Sequence, residues 1–281
     1  MDIFPYISKY ILGFAGLSLI CLMVIPAPYG KFSKKYFPFQ INSRLAWFLC
    51  EVGGLFILLP YYDNDSWNTS LPTTSKGWAA FTFISIHFLW RSIFSQIILE
   101  YMNPPRGTKE TSALIPLGGL LYLPLVGMNF RHMVSEIDDA ITIEGGIFLG
   151  LSAICLFANA FVDVMLNIWR KEKIEDRYLG AYLSREDIAD RFALLSNIGI
   201  DSPNYFFEIL EWGFFVLFTW RWEAFWWFVS TLVYLIPRMI WTSHWYTLNE
   251  QELSEIEEYQ VHWQKYQWKY HKNCFFKLIN Y

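Results

Sequence analysis

Gly145–Trp169 reads GGIFLGLSAICLFANAFVDVMLNIW, an almost unbroken apolar run with one charge, Asp163, toward its end. A helix crossing the ~30 Å hydrocarbon core of a bilayer needs ~20 such residues, at ~1.5 Å rise each. A charge held inside a bilayer costs at least ~2.5–3.5 kcal/mol on insertion scales, so Asp163 is a functional-site candidate. The pattern recurs along the chain. Glu51 sits in Leu45–Tyr62, Arg91 in Gly77–Tyr101, Glu208 and Glu211 in Tyr205–Trp220, and Arg238 in Ala224–Trp241. With Tyr10–Ile25 and Ala113–Phe130, these runs predict seven transmembrane helices. Charges on several spans point to one shared polar site inside a membrane bundle.

Composition agrees. The chain has 281 residues, of which 54% are hydrophobic and only 17% charged, and mean hydropathy is +0.24. Soluble domains carry about 25% charged residues. Lipid cannot satisfy backbone polar groups, so spans are helices or a closed barrel. Continuous apolar runs without alternation exclude the barrel. The expected fold is therefore an all-α, polytopic seven-helix bundle. The first run lacks a basic flank and a cleavage site, so it reads as a retained helix and not a signal peptide. Cys21, Cys50, Cys155 and Cys274 show neither metal spacing nor a disulfide framework.

Basic residues give the orientation. Lys31, Lys34, Lys35 and Arg44 lie between spans one and two, Arg106 and Lys109 between three and four, and Arg170, Lys171, Lys173, Arg177, Arg185 and Arg191 between five and six. Lys265, Lys269, Lys272 and Lys277 follow span seven, whereas the remaining loops hold only Lys76, Arg131 and Arg221. The positive-inside rule places the basic loops in the cytoplasm, with the N-terminus outside and the C-terminus inside. The sequons at Asn64 and Asn68 then fall in an outside loop. Residues 1–246 form the membrane domain. Residues 247–281 form a cytoplasmic tail whose Trp263, Tyr266, Trp268 and Tyr270 suit an interfacial helix.

In this orientation the intramembrane polar groups gather in the cytoplasmic half. Asn159 and Asp163 are four apart, Asn204, Glu208 and Glu211 recur at i, i+4, i+7, and Arg238, Thr242 and Tyr246 at i, i+4, i+8, so each set shares one helix face. A transporter more often places its site near the midplane. A cytoplasm-facing pocket for a charged ligand fits better. Arg170, Arg191, Arg238 and one of Arg91 or Arg106 suit phosphates through bidentate bonds, and the Asn and carboxylate groups suit ribose hydroxyls and amides. Plainer readings stay open beside these. Arg91 pairs with a helical acid, Glu211 makes a structural helix–helix pair, and His87 is a satisfied core histidine. Trp220–Trp227 reads as an interface belt, and Gly146-x-x-x-Gly150 as helix packing. No metal site, dinucleotide fingerprint, Walker loop or hydrolase triad is legible, and nucleic-acid binding is not expected.

These residues resemble the steroid 5α-reductase family of membrane reductases. Ser202-Pro-Asn-Tyr-Phe-Phe-Glu-Ile-Leu-Glu-Trp212 is close to that family's P-N-Y-x-x-E-I-I-E-W. Asn159-x-x-x-Asp163 with downstream Arg170, and Arg238 with Thr242-Ser-His-Trp-Tyr246, follow in family order. Pro26-Ala-Pro-Tyr-Gly-Lys-Phe before Arg44-Leu-Ala-Trp-Phe-Leu-Cys-Glu51 completes the resemblance, which spans Pro26 to Tyr246. It implies a seven-helix bundle that takes NADPH from the cytoplasm and reduces the C4–C5 double bond of a 3-oxo-Δ4-steroid or a related alkene. By resemblance, Asn159, Asp163, Arg170, Asn204, Glu208, Arg238 and Tyr246 hold the cofactor, and Arg91, Arg106 and Arg191 assist at its phosphates. Glu51 faces the substrate ketone as the catalytic group, and Phe88 and Trp212 line the substrate pocket. A monomer without metal is implied, in the endoplasmic reticulum membrane of a eukaryote or the inner membrane of a bacterium.

The chain departs from the family at several points. Cys50 stands where the family commonly has Gln, and Phe88 where it commonly has a Tyr that bonds the substrate carbonyl. The electrophile therefore rests on Glu51 alone or on another donor. The family's I-P-x-G-G-L-F loop is replaced by Phe192-Ala-Leu-Leu-Ser-Asn-Ile-Gly. In the expected mechanism, Glu51 among Phe48, Leu49 and Val52 is a carboxylic acid kept protonated by desolvation, donating to the C3 oxygen. Two rivals stay open: a sibling reductase of polyprenol, enoyl-CoA or sterol alkenes, and an isoprenylcysteine-type membrane methyltransferase using S-adenosylmethionine.

Overall fold

A computed structural model describes residues 4–24, 39–63, 66–68, 71–102, 110–173, 192–197, 200 and 202–246. The expected tail, the loop carrying Arg191 and the residue Arg106 lie outside the described residues, as does the Pro26-Ala-Pro-Tyr-Gly-Lys-Phe motif.

The described chain is mostly helical. In order it runs α1 (Phe4–Val24), β1 (Gln40–Asn42), α2 (Ser43–Glu51), a 3₁₀ stretch (Val52–Leu58), β2 (Tyr61–Asp63), β3 (Ser66–Asn68), α3 (Ser75–Leu89), a π turn (Trp90–Phe94), α4 (Ser95–Met102), β4 (Glu110–Ser112), α5 (Leu114–Ser135), α6 (Ile143–Lys173), α7 (Ala193–Asn197), α8 (Pro203–Thr219) and α9 (Trp222–Tyr246). α6 lies along α8, α1 along α9, and α5 along α2 and the 3₁₀ stretch.

The expectation of an all-α chain needs one correction. β1 pairs antiparallel with β4, Ile41 opposite Thr111, and β2 pairs with β3 in a hairpin, Tyr62 opposite Trp67. These ladders are three residues long, too short for an alternation to show in the sequence. The seven expected spans are matched in part. Among the described residues, three helices are long and apolar enough to cross a membrane: Ser75–Ile98, Leu114–Ser135 and Ile143–Leu166. α8 has 17 residues, and in α1 the apolar stretch is Lys9–Leu22.

Span two, expected over Leu45–Tyr62, changes type midway. Asn42 caps α2, its side chain accepting from the amides of Arg44 and Leu45. The helix tightens at Val52 without a break, Glu51 keeping right-handed angles. A 3₁₀ helix rises ~2.0 Å per residue against ~1.5 Å for α. Nine α and seven 3₁₀ residues therefore reach about 27 Å. The tightening follows from packing. A Cβ at Gly53 would run into Pro124, one at Gly54 into the Phe88 ring, one at Gly119 into Cys50, and one at Gly127 into the Gly54 carbonyl. At Gly53, Gly119 and Gly127 the backbones approach closely, the small-residue contact by which membrane helices pack.

Within the bundle, Phe83, Phe88, Phe130, Trp212, Phe215 and Phe218 are buried together. Their rings meet edge-on or stacked, as in Phe83–Trp212 at 6.2 Å and Phe130–Trp212 at 5.8 Å. At one end, polar groups tie the turns. Thr74 caps α3, accepting from the Gly77 amide, and donates to the Ile137 carbonyl at 2.9 Å. Lys76 bonds Asp139, and Arg221 donates to the Glu136 carbonyl and lies 3.6 Å from Asp138. The Lys76 bond holds the Asp139 carboxyl below the usual carboxylate range. Trp220 takes left-handed angles, φ 54°, where α8 turns into α9.

Candidate active site

Fifteen residues along from Lys76, about 22 Å at helical rise, the same rod carries Arg91. Here the helix widens into a π turn over Trp90–Phe94. A π turn inserts a residue and loosens the carbonyl ladder, and such turns recur at functional sites. Side chains satisfy the carbonyls: Ser92 Oγ donates to the Phe88 carbonyl at 2.6 Å, Ser95 Oγ to that of Arg91 at 2.7 Å, and Gln96 Nε2 to that of Arg91 at 3.3 Å.

The turn sets the Arg91 guanidinium between three carboxylates on three elements. Its Nη2 donates to Glu51 Oε1 at the end of α2, 3.3 Å away. Its Nη1 donates to Asp163 Oδ2 on α6 at 3.4 Å and lies 3.9 Å from Glu208 Oε2 on α8. Amides complete the cluster. Asn204 Nδ2 donates to Asp163 Oδ1 at 3.0 Å, and Asn159 Nδ2 to Glu208 Oε2 at 3.5 Å. Asn159 Oδ1 is buried without a hydrogen-bond partner among the described residues.

Six residues singled out in the sequence, Glu51, Arg91, Asn159, Asp163, Asn204 and Glu208, thus share one cluster. Local sequence explains the placement. Pro203 opens α8 at its first turn, where a missing amide costs nothing, so Asn204 and Glu208 stand on one face of its opening turns. Arg238 on α9 lies within electrostatic reach of Cys50 and Tyr234, beside Glu51 in the chain. Arg170 and Tyr246 belong to α6 and α9, but their side chains lie outside the described residues.

Two expectations meet a different setting. Glu51 is not an isolated acid among Phe48, Leu49 and Val52: Phe48 is exposed and Arg91 is its partner. Phe88 and Trp212 both have 0% exposure. Phe88 packs on Gly54 and edge-on to His87, and Trp212 lies 4.7 Å from the His87 ring.

The plainer readings of His87 and Glu211 join into one feature. His87 Nδ1 and Glu211 Oε1 are 2.5 Å apart, a buried bond between α3 and α8. Helical spacing carries part of this signal: His87 is one turn before Arg91, and Glu211 one turn after Glu208. The described residues contain no group of three or more His, Cys, Asp or Glu side chains placed to hold a metal ion.

Comparison with known proteins bears on the same elements. The family model described as 3-oxo-5-alpha-steroid 4-dehydrogenase matches residues 194–260, which include α8 and α9. "Steroid 5-alpha-reductase DET2" of Gossypium hirsutum is 25% identical over 236 residues, covering 81% of this chain and 83% of the relative. The protein of that name from Solanum lycopersicum is 25% identical over 252 residues, covering 87% and 90%. That from Arabidopsis thaliana is 24% identical over 245 residues, covering 85% and 88%. Family match and relatives agree with the resemblance read from Ser202–Trp212 and its companion motifs: the chain is similar to the steroid 5α-reductases.

Proposed function

We propose that the chain is a membrane-embedded NADPH-dependent reductase of the C4–C5 double bond of 3-oxo-Δ4-steroids, monomeric and multi-pass, with its cofactor site on the cytoplasmic side. The observation that carries this reading is the convergence of Glu51, Arg91, Asp163 and Glu208 from four elements on one partly buried cluster.

The donor set fits the nicotinamide-ribose half of a dinucleotide. Asp163, Glu208 and Asn159 present acceptors for ribose hydroxyls and a carboxamide, and Asn159 Oδ1 is a buried acceptor still to be matched. Arg238, with Arg170, Arg191, Arg106 and Tyr246, would hold the phosphates and the adenosine end. NADPH, when bound, would supply a hydride to C5 of the substrate.

The chain's own groups do the rest. Glu51, released from Arg91 and carrying a proton, donates to the C3 oxygen, so that charge developing on the enone has a donor beside it. Arg91 can release Glu51 without being stranded, because Asp163 and Glu208 remain at 3.4 and 3.9 Å. Asn204 and Asn159 fix the two remaining carboxylates while this happens. The aromatic core around Phe88 and Trp212 walls the neighbourhood against water, which strengthens each of these interactions.

The test is NADPH oxidation by detergent-purified protein with testosterone or progesterone, with product mass and stereochemistry determined. A 5α-dihydro product is expected. Folded protein that binds NADPH but leaves these steroids unreduced would point to another lipid alkene. Folded protein that does not bind NADPH would overturn the reading and bring the methyltransferase forward.

A further inference from the structure

The function proposed above leaves the His87–Glu211 pair without a task, although the pair is the most deeply buried contact between ionisable side chains among the described residues. Side-chain exposures are 2% and 0%, against 12–26% for the groups around Arg91. Burying such groups is costly unless every polar atom is bonded. Here one is not: Glu211 Oε2 is buried with no hydrogen-bond partner among the described residues. Trp212 and Phe88 close on the His87 ring, and Ser152 Oγ on α6 holds the Glu211 carbonyl at 2.7 Å.

The pair is in register with the site. α3 with its π turn, and α8, are bridged twice, by His87–Glu211 and, one turn on, by Arg91–Glu208. The charged and titratable groups facing the pair are Arg91 from the π turn, Glu208 from α8 and Cys155 from α6. Glu51 and Asp163 stand behind them, on Arg91. Ionisable groups one helical turn apart thus lead from the packed core to the Arg91 cluster.

Reduction of an enone consumes two species. A hydride adds to one alkene carbon and a proton to the other, and the proton must arrive where aromatic rings exclude water. We propose that the His87–Glu211 pair stores the proton consumed by the site and delivers it by way of Glu208, an inference that rests on the reductase reading. One proton passes from the pair to Glu208, and one from Glu208 to the substrate carbon next to the carbonyl, forming the new C–H bond. The pair, one proton short, is refilled by the reverse route, from water through the partly exposed Glu208. His87 and Glu211 are positioning residues in this scheme, since they act through Glu208.

The test uses the full chain in detergent or nanodiscs: wild type, Glu211→Gln, His87→Gln and Glu211→Asp. Thermal melting checks folding, and fluorescence titration gives the NADPH Kd. In both Gln variants the Kd should stay near wild type while kcat falls roughly 10²-fold, the lower range for a lost general acid. The solvent deuterium isotope effect on kcat should rise, and Glu211→Asp should recover part of the rate. Unchanged kcat and isotope effect in folded Gln variants would overturn the proposal. So would parallel losses of kcat and NADPH affinity, which would mark a purely structural pair. If the Gln variants fail to fold, nitrogen-15 histidine NMR of the wild type decides. A proton store changes the protonation of its solvent-shielded imidazole with pH or NADPH, whereas a structural pair keeps one form throughout. Should the wild type reduce no enone, the reductase reading fails by itself, and the NMR still decides whether the pair exchanges its proton.

Discussion

Arg91 draws the cluster together, because one guanidinium answers three carboxylates from three elements. Removing one partner of a buried charge pair costs ~3–5 kcal/mol. Arg91 keeps some contact with solvent, so Arg91→Ala should lower stability by about 3 kcal/mol, read as the shift in Tm in detergent. Glu51→Gln should be far milder for folding, since an amide oxygen still accepts from Arg91. Its kcat should drop ~10²-fold, the scale for losing one electrostatic donor, with NADPH affinity nearly retained; equal turnover would remove Glu51 from the chemistry. Arg238→Ala should instead weaken NADPH binding, and unchanged affinity in titration would exclude it from the site. The carboxylates and amides of the cluster were legible because a charge near the end of an apolar run stands out. The bond between His87 and Glu211 was not, since spacing tells which face a residue occupies and not which helix it meets.

At the scale of elements, the helices appear where the apolar runs lie, and the surprises are in their winding. The expected span over Gly77–Tyr101 is one rod interrupted by a π turn, and the span from Leu45 passes from α to 3₁₀ at Val52. Neither change leaves a hydrophobic period to read. Both follow from contacts distant in sequence: Gly53 and Gly54 against α5 and Phe88 for the tightening, Ser92, Ser95 and Gln96 for the widening. The Gly54 contact can be tested. Gly54→Ala drives a methyl into the Phe88 ring and should cost ~1–3 kcal/mol, as overpacking does. Adding Phe88→Leu should recover part of that loss, because contacting residues are not additive. Independent, additive losses of Tm would show that the two do not press on each other. Phe88 is thereby tied to a glycine as much as to any ligand.

For the molecule as a whole, polar contacts form two layers: the Lys76, Asp139 and Arg221 ties at one end and the Arg91 cluster toward the other. The first layer carries an acid-sensitive contact. Because Asp139 has its folded-state carboxyl held low, its contribution is present above the ordinary Asp value of ~3.9 and fades as pH falls through the lower, folded value. Asp139 is half exposed, so the effect stays within ~1 kcal/mol. Asp139→Asn should flatten that part of the acid limb of Tm against pH. The likeness to the steroid 5α-reductases and the helical character were legible in whole motifs and long runs, whereas the seven spans rested on apolar runs and their direction on loop charges, which the described helices do not settle. Cysteine-accessibility mapping of residues 31–35 and 64–70 should place them on opposite sides. The length of the rods has its own consequence. The apolar stretches Ser75–Ile98, Leu114–Ser135 and Ile143–Leu166 hold 24, 22 and 24 residues, about 33–36 Å at helical rise against the ~30 Å of an average hydrocarbon core. Such mismatch is relieved by tilting or by residence in a thicker bilayer, at fractions of a kcal/mol per Å. Reconstituted into bilayers of graded acyl length, the protein should be most stable in the longer lipids. Lipid thickness would then sort this chain among the membranes of its host.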